Sequence, residues 1–454
     1  MLVAGRKSTK LVTGAEVFSC YHTKPMTGRF VPSIYAIDFG TTNSLLAAAN
    51  AEEIHAPIAL EPEARDASIL RSVLYFPTAQ HCFYGARAIS EYTAAGGQGR
   101  LIRSIKKHLP SRSFIGTHID ERPMNLEDLI GTFLGEMRSR ANAYFQTDVT
   151  RVLLGRPARF AADDADDLRA QYRLERSARS AGFTEISFCP EPVAAAREFR
   201  STLREKKVVL VGDFGGGTSD FTVLQMHDGP FDARDVLSIG GVSVAGDAFD
   251  SALMRRHIGK HFGTEVKYKV PFGNNVLTMP PALMEKICTP ADASLLQTAD
   301  AMTFLRNLKD WSLGDSDQRA IEQLLTFVED RLGFQVFESI EQTKRALSES
   351  ERATFHYEYP TIEVDEVIER RGFEQSSAPA TEAIVRELDA TLQRAALTPE
   401  QVDIVCCTGG TARLPAVENA LATRFGAAKL TQFQNFHSVI LGLTEQARAT
   451  VAAA

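Results

Sequence analysis

Two short turns in this chain carry the residue types that hold an oxyanion. The first, in IDFGTTNS, sets Asp38 at the end of an apolar run and follows it with Gly40, Thr41, Thr42 and Asn43. The second, GDFGGGTSDF, sets Asp213 ahead of Gly215, Gly216, Gly217, Thr218 and Asp220. Glycine lets successive backbone N–H groups point inward, because no Cβ blocks positive φ or close approach, and such a nest binds an anion without a lysine. The hydroxyls of Thr41, Thr42 and Thr218 add donors. Asp38 and Asp213, one at each strand end, suit the waters of a hydrated Mg²⁺, which takes one or two carboxylates beside phosphate oxygens. Two such loops facing each other would clamp a polyphosphate and its metal. Taken alone, GTTN reads equally as a plain glycine-rich hairpin, whereas three glycines between two aspartates serve no packing purpose.

The elements that must position these turns repeat. IYAIDFGTTNSLLAA and VVLVGDFGGGTSDFTVL both read as apolar strand, Asp, bulky apolar residue, Gly, small residues, Thr and strand, about 175 residues apart. A later CTGGTARLP repeats the strand–turn–helix theme. The pattern predicts a duplicated pair of α/β lobes. Helical spacing of Leu126, Leu129, Ile130, Phe133, Leu134 and Met137 predicts a helix over 125–145, and further helices are expected over 162–181, from Glu191, over 246–262, over 317–347 with a break near Gly333, over 381–395, over 414–424 and over 438–449. RLIRSIKKHLP reads as a helix ended by Pro110, and 264–314, with KVPFGNNVLTMPP, as irregular.

The bulk numbers exclude more than they assign. The 454 residues are too many for one core, and 44% hydrophobic with 24% charged residues is ordinary for a globular protein. A net charge of -7 without a dense Lys/Arg run argues against a nucleic-acid partner. Six scattered cysteines without C-x-x-C spacing read as reduced and mostly buried. No apolar run is long enough for a membrane span, so the cytoplasm is the default compartment. Residues 1–33 lack a signal-peptide core and are expected to be a disordered extension, or to be untranslated up to Met26.

The motifs resemble the ATPase domain of Hsp70 chaperones, over nearly everything from Ile34 to Ala449. IDFGTTNS and DFGGGTSDF are similar to its two phosphate motifs, CPEPVAAAREF to the connecting motif, FESIEQTKRALSES to the helix along the adenosine, and CTGGTARLPAVENAL to the glycine turn on its other side. GRPARF, with Pro157, resembles the relay-proline segment. The resemblance implies two actin-like, ribonuclease H-like ATPase lobes flanking a nucleotide cleft. It implies lobe I over 34–206, lobe II over 207–411 with a lid about 264–350, and C-terminal helices over 412–454, the last packing back on lobe I. ATP or ADP and Mg²⁺ are the implied ligands.

Carried over by motif, Asp38, Thr41, Thr42, Gly215, Gly216, Gly217 and Thr218 would meet phosphate and Mg²⁺, with Gly40 and Asn43 completing the first turn. Lys106 would position the attacking water, Glu191 would act as acid/base or metal-water ligand, and Asp213 and Asp220 would complete the site. Gly246 and Asp247, in GGVSVAGDAFD, would form the ribose-side loop. Glu341, Lys344, Arg345 and Ser348 would contact adenosine, with Gly409, Gly410, Thr411 and Arg413 closing on the base. By their residues alone, Lys106 beside Lys107 reads also as a solvated helix face, and Glu191 before Pro192 as an ordinary helix N-terminal charge.

The sequence departs from the family in three places. It ends soon after the last ATPase helix without the peptide-binding domain of full-length members, so clamp-type chaperoning is not expected. The acidic residue near the start of the last helix is replaced around Phe436–His437. The 264–314 region is instead similar to the short, YegD-like branch. The resulting expectation is a slow Hsp70-like ATPase acting on protein clients or co-chaperones. The alternatives are a small-molecule kinase of the same superfold, with Asp220 as base, and an actin-like scaffold with little turnover.

Overall fold

The computed structural model describes residues 30–453 except 65, 162, 201–204, 228–232, 272, 291–295 and 433–436. The expected N-terminal tail through residue 29, with Met26, and Phe436 of the altered motif lie outside the described residues. Phe30 is already packed, against His55 and Phe145 with ring centroids 5.4 and 5.6 Å apart.

The apolar run IYAIDF forms a strand whose successive side chains point to opposite faces, both of them buried. Ile34–Phe39 turns back antiparallel into Asn43–Ala49, with Phe39 opposite Ser44, and pairs on its other side with Arg151–Arg156 in parallel. Glu185–Pro190 follows in parallel beyond that. Tyr35, Ile37 and Phe39 face a core shared with the Leu126–Phe145 and Asp164–Ser180 helices. The opposite face carries Ile34, Ala36, Ala47 and Ala49, and packs against Ile440, Leu443 and Ala447 of the His437–Ala452 helix. Small alanines let that helix lie close. A Cβ on Gly442 would sit 1.9 Å from the carbonyl oxygen of Ala194, in the Glu191–Arg200 helix.

The second sheet has the same plan. Lys207–Phe214 turns back antiparallel into Ser219–Met226, with Phe214 opposite Ser219, and pairs in parallel with Ile404–Thr408, beyond which lies Leu430–Gln432. In each sheet the first hairpin strand lies between its antiparallel partner and two parallel strands, each preceded by a helix. Phe214, Phe221 and Phe249 fill a large core that extends into the helices after Gly246. The molecule is mixed α/β with two sheets built on one plan, as the repeat predicts.

Several expected elements are corrected. RLIRSIKKHLP is not a helix: Arg100–Arg103 is a strand pairing with Val73–Phe76, Ser104 takes φ 54, and Ile105–His108 forms one tight 3₁₀ turn. The apolar spacing of Leu101, Ile102, Ile105 and Leu109 fits a helix, but a neighbouring strand edge captures its first half. The 264–314 region, read as irregular, contains helices Pro281–Cys288 and Ala299–Trp311. The helix expected over 381–395 begins at Arg370 and runs through Pro379. The one expected over 246–262 changes after Leu253 into a π-helical turn, Met254–Ile258, and a 3₁₀ turn.

Candidate functional site

Both hairpin turns lie at the same ends of their sheets and face each other. Thr42 Oγ1 lies 3.1 Å from where a Gly216 Cβ would be, so the turns meet across a narrow cleft. The first turn is held from behind by Ser72: its N–H donates to the Thr42 carbonyl at 2.8 Å, and its hydroxyl to the Gly40 carbonyl at 2.8 Å. Gly40 is required here, since a Cβ would lie 2.1 Å from the Asn43 carbonyl oxygen. The second turn is closed by Gly215 N–H donating to the Thr218 carbonyl at 2.9 Å. It is braced by Thr411, whose hydroxyl donates to the Gly215 carbonyl at 2.9 Å, and by Asp247 N–H on the Gly216 carbonyl at 2.6 Å. Gly246 packs beside Thr411 and Gly216.

At the cleft floor lies an ion pair between distant segments. Lys106 Nζ donates to Glu191 Oε1 at 2.7 Å, with the two side chains only 9% and 13% exposed. Burial works against the lysine's charge, but Glu191 and Asp38 outweigh it and raise its pKa. Asp38 is pushed up to about 8, by burial first and then by Glu191, against the pull of Lys106. Asp213 opens onto the cleft yet lies deep in the molecule, and burial and then Glu191 raise its pKa too. It accepts a hydrogen bond from the Thr408 hydroxyl at 2.9 Å. Asp220, opposite Asp213 in the hairpin register, is raised to about 7 by burial and then by Asp213, and accepts from the Thr218 hydroxyl at 2.9 Å.

Four carboxylates thus surround one ammonium. The site carries more negative charge than its protein cation balances, which is the condition a divalent metal relieves. Asp38 and Asp213, one from each hairpin, are the carboxylates of this set that could hold such an ion through water.

The remaining expected residues make contacts within the protein. Lys344 is buried and committed: its ammonium meets Asp250 Oδ1 at 2.8 Å and the Gly246 carbonyl at 3.3 Å. It therefore braces the Gly246 loop. Burial raises Asp250 to about 6, against the lowering by Lys344. Glu341 and Arg345 pair with each other one helical turn apart. Ser348 donates to the Lys344 carbonyl at 3.2 Å. Arg413 lies in the 3₁₀ turn Gly410–Arg413, beyond Gly409. His437, in the altered final motif, meets the loop that leads to Ser72 behind the first turn, with Nε2 2.8 Å from Ser68 Oγ and 3.6 Å from Asp66 Oδ2.

Sequence reasoning missed Ser72, Thr408 and Asp250, the side chains that hold the site residues from behind. It also missed the closing contact of the Gly333–Glu349 helix. Arg71 meets Glu338 at 3.0 Å, the Arg103 guanidinium lies 5.2 Å over the Phe334 ring, and Tyr92 meets that ring edge-on at 6.4 Å. Only the hydrophobic–polar pattern of the strand 100–103, had it been recognised as a strand, would have pointed there.

A family model for Hsp70 protein matches residues 83–279 and 326–451, well over half of the chain. The second glycine turn, Lys106, Glu191 and the 409–413 turn fall within the matched residues; the first turn lies ahead of them. No helix among the described residues is long and apolar enough to cross a membrane.

Proposed function

The chain belongs to the Hsp70 family, whose members generally bind and hydrolyse ATP, and on that premise we propose that it binds Mg²⁺·ATP between its two glycine turns and hydrolyses it slowly to ADP and phosphate. The observation that carries this reading is the Lys106–Glu191 pair, 2.7 Å apart at the floor where Asp38 and Asp213 converge.

The chain's residues divide the work. Backbone N–H groups of Gly215, Gly216 and Gly217, with the hydroxyls of Thr41, Thr42 and Thr218, hold the phosphate oxygens as charge develops there. Mg²⁺, held through water by Asp38 and Asp213, would neutralise charge on those oxygens. Lys106, kept protonated by its carboxylate neighbours, cannot accept a proton at neutral pH, so it orients the attacking water by donating to it. A water oriented by a donor, with no base at the lysine itself, fits low turnover. Glu191 holds the lysine and is placed to take the water's proton or a metal-bound water. The Gly246–Asp247 loop, Glu341, Arg345, Ser348 and the Gly409–Arg413 turn form the nucleoside side, with Lys344 as brace. Closure of residues 34–206 on 207–411 is the mechanical output, delivered to protein clients or co-chaperones in the manner of a short, YegD-like member.

The test is single-turnover hydrolysis of labelled Mg²⁺·ATP by wild type, Lys106→Ala and Thr218→Ala. Hydrolysis should be slow in wild type and fall on the order of 100-fold in both variants while ATP stays bound. Tight binding with turnover unchanged by either substitution would sink the assignment.

A further inference from the structure

Lys106 sits on a segment with little regular structure of its own. Ser104 is left-handed, Ile105–His108 is a single 3₁₀ turn, and the chain then loops to Gly116. Something must satisfy the carbonyls of that loop and hold it still. Arg173, in the middle of the Asp164–Ser180 helix and 8% exposed, does both. Its Nη1 donates to the carbonyls of His108 at 3.2 Å, Leu109 at 3.3 Å and Ser111 at 3.1 Å. Its Nη2 donates to the Phe114 carbonyl at 3.0 Å, and its Nε to Glu127 Oε1 at 3.2 Å. Four loop carbonyls and one carboxylate therefore share one guanidinium, whose rigid fork presents five N–H donors.

We propose that Arg173 is a positioning residue for hydrolysis, setting the height of Lys106 above the cleft floor. The geometry supplies the reason. The helix that carries Arg173 ends at Ser180, and the chain then passes Gly182 and the Glu185–Pro190 strand to reach Glu191, the first residue of the next helix. Glu191 is thus tied to this helix by the chain, and Lys106 by the hydrogen bonds of Arg173 to the residues just after it. One helix therefore fixes both ends of the 2.7 Å ion pair. Arg112 adds a second tie, to Asp166 at 2.6 Å, but that pair is largely exposed and contributes little. Lysine in place of arginine could reach at most part of this set, since an ammonium has three donors and no fixed fork.

The inference rests on the reading of Lys106 given above, so the experiment separates the two. Single-turnover hydrolysis and ATP affinity of the full chain are measured for wild type, Lys106→Ala, Arg173→Met, Arg173→Lys and the Lys106→Ala/Arg173→Met double variant. Arg140→Met serves as a structural control, because Arg140 donates to the Leu60 carbonyl at 2.5 Å and to Glu136 Oε1 at 2.7 Å, apart from the segments that carry Lys106 and Glu191. A displacement of about 1 Å costs on the order of 100-fold in rate. Arg173→Met should therefore slow hydrolysis roughly 10- to 100-fold with ATP affinity unchanged within about twofold. Arg173→Lys should recover part of it, and the double variant should be no slower than Lys106→Ala alone. Arg140→Met should hydrolyse as wild type even where its melting temperature falls. If Arg173→Met does not fold, Arg173→Lys carries the test, with the same expected direction. Lys106→Ala inactive but both Arg173 variants at wild-type rate would overturn the role of Arg173 alone, as would Arg173 and Lys106 losses that multiply in the double variant. Lys106→Ala at wild-type rate would overturn the reading of the lysine, and the role of Arg173 with it.

Discussion

At Gly409 the backbone takes φ 86 and ψ 160, a region that residues with a Cβ do not enter without strain. A Cβ there would also lie 2.1 Å from the Phe214 carbonyl oxygen, in the strand that ends at the second turn. Gly410 has nothing within 4 Å of its Cβ position. Gly409→Ala should therefore lower unfolding free energy by roughly 2–3 kcal/mol or more, and Gly410→Ala by less than about 1 kcal/mol. Urea denaturation of both checks this, and equal losses would mean the turn is not held against Phe214. The two glycines look alike in CTGGTARLP. Their spacing marks a turn, but which of them is irreplaceable depends on the strand behind it.

Two elements carry consequences for the site. The His437–Ala452 and Glu191–Arg200 helices touch at Gly442, whose added Cβ would meet the Ala194 carbonyl oxygen at 1.9 Å. Neither helix backbone gives way cheaply, so Gly442→Ala should cost about 1–3 kcal/mol. Because Glu191 starts one of these helices, ATP hydrolysis should fall as well; a variant that is destabilised but fully active would show that the shift stays away from Glu191. Farther out, His257 lies on the π-helical turn with Nε2 buried and without a hydrogen-bond partner. Burial lowers its pKa below 6.5; Arg256 and Lys260 add to this, while Glu366 and the Gly372 backbone oppose it. A depressed folded-state pKa means that the unfolded chain binds the proton more readily. This group's contribution is thus present above about pH 6.5 and lost as pH falls. Melting temperature should drop between pH 7.5 and 5.5 more steeply in wild type than in His257→Gln. Parallel slopes would show that His257 does not titrate on unfolding.

Across the whole molecule, the Gly333–Glu349 helix bridges the cleft mouth to the first half through Arg71–Glu338, Arg103 over Phe334, and Tyr92 against the same ring. Phe334 is the hub, meeting both a cation and an aromatic edge. Such contacts are worth about 0.5–1.5 kcal/mol each, enough to slow opening severalfold. Phe334→Ala should therefore speed release of a fluorescent nucleotide about three- to tenfold, with little change in the association rate. An unchanged dissociation rate would place the release barrier elsewhere.

The two hairpin turns and the duplicated sheets were legible in the residues alone, because apolar runs and the spacing of glycine and threonine act within contiguous residues. Asp38 opposite Leu45 and Asp213 opposite Asp220 follow once each hairpin closes on its own turn. The family resemblance then pointed to Lys106 and Glu191, but as separate candidates, each with an ordinary surface reading. Only the tertiary structure brought them together across 85 residues and buried them among Asp38 and Asp213. It also turned the Arg100–Arg103 segment from an expected helix into a strand, since a free sheet edge at Val73–Phe76 outweighs helical spacing. It set Lys344 on Asp250 and Arg173 on four loop carbonyls. Local pattern decides what a segment can form. Which donor meets which buried acceptor is decided where segments far apart in the chain leave polar groups that only one neighbour can satisfy.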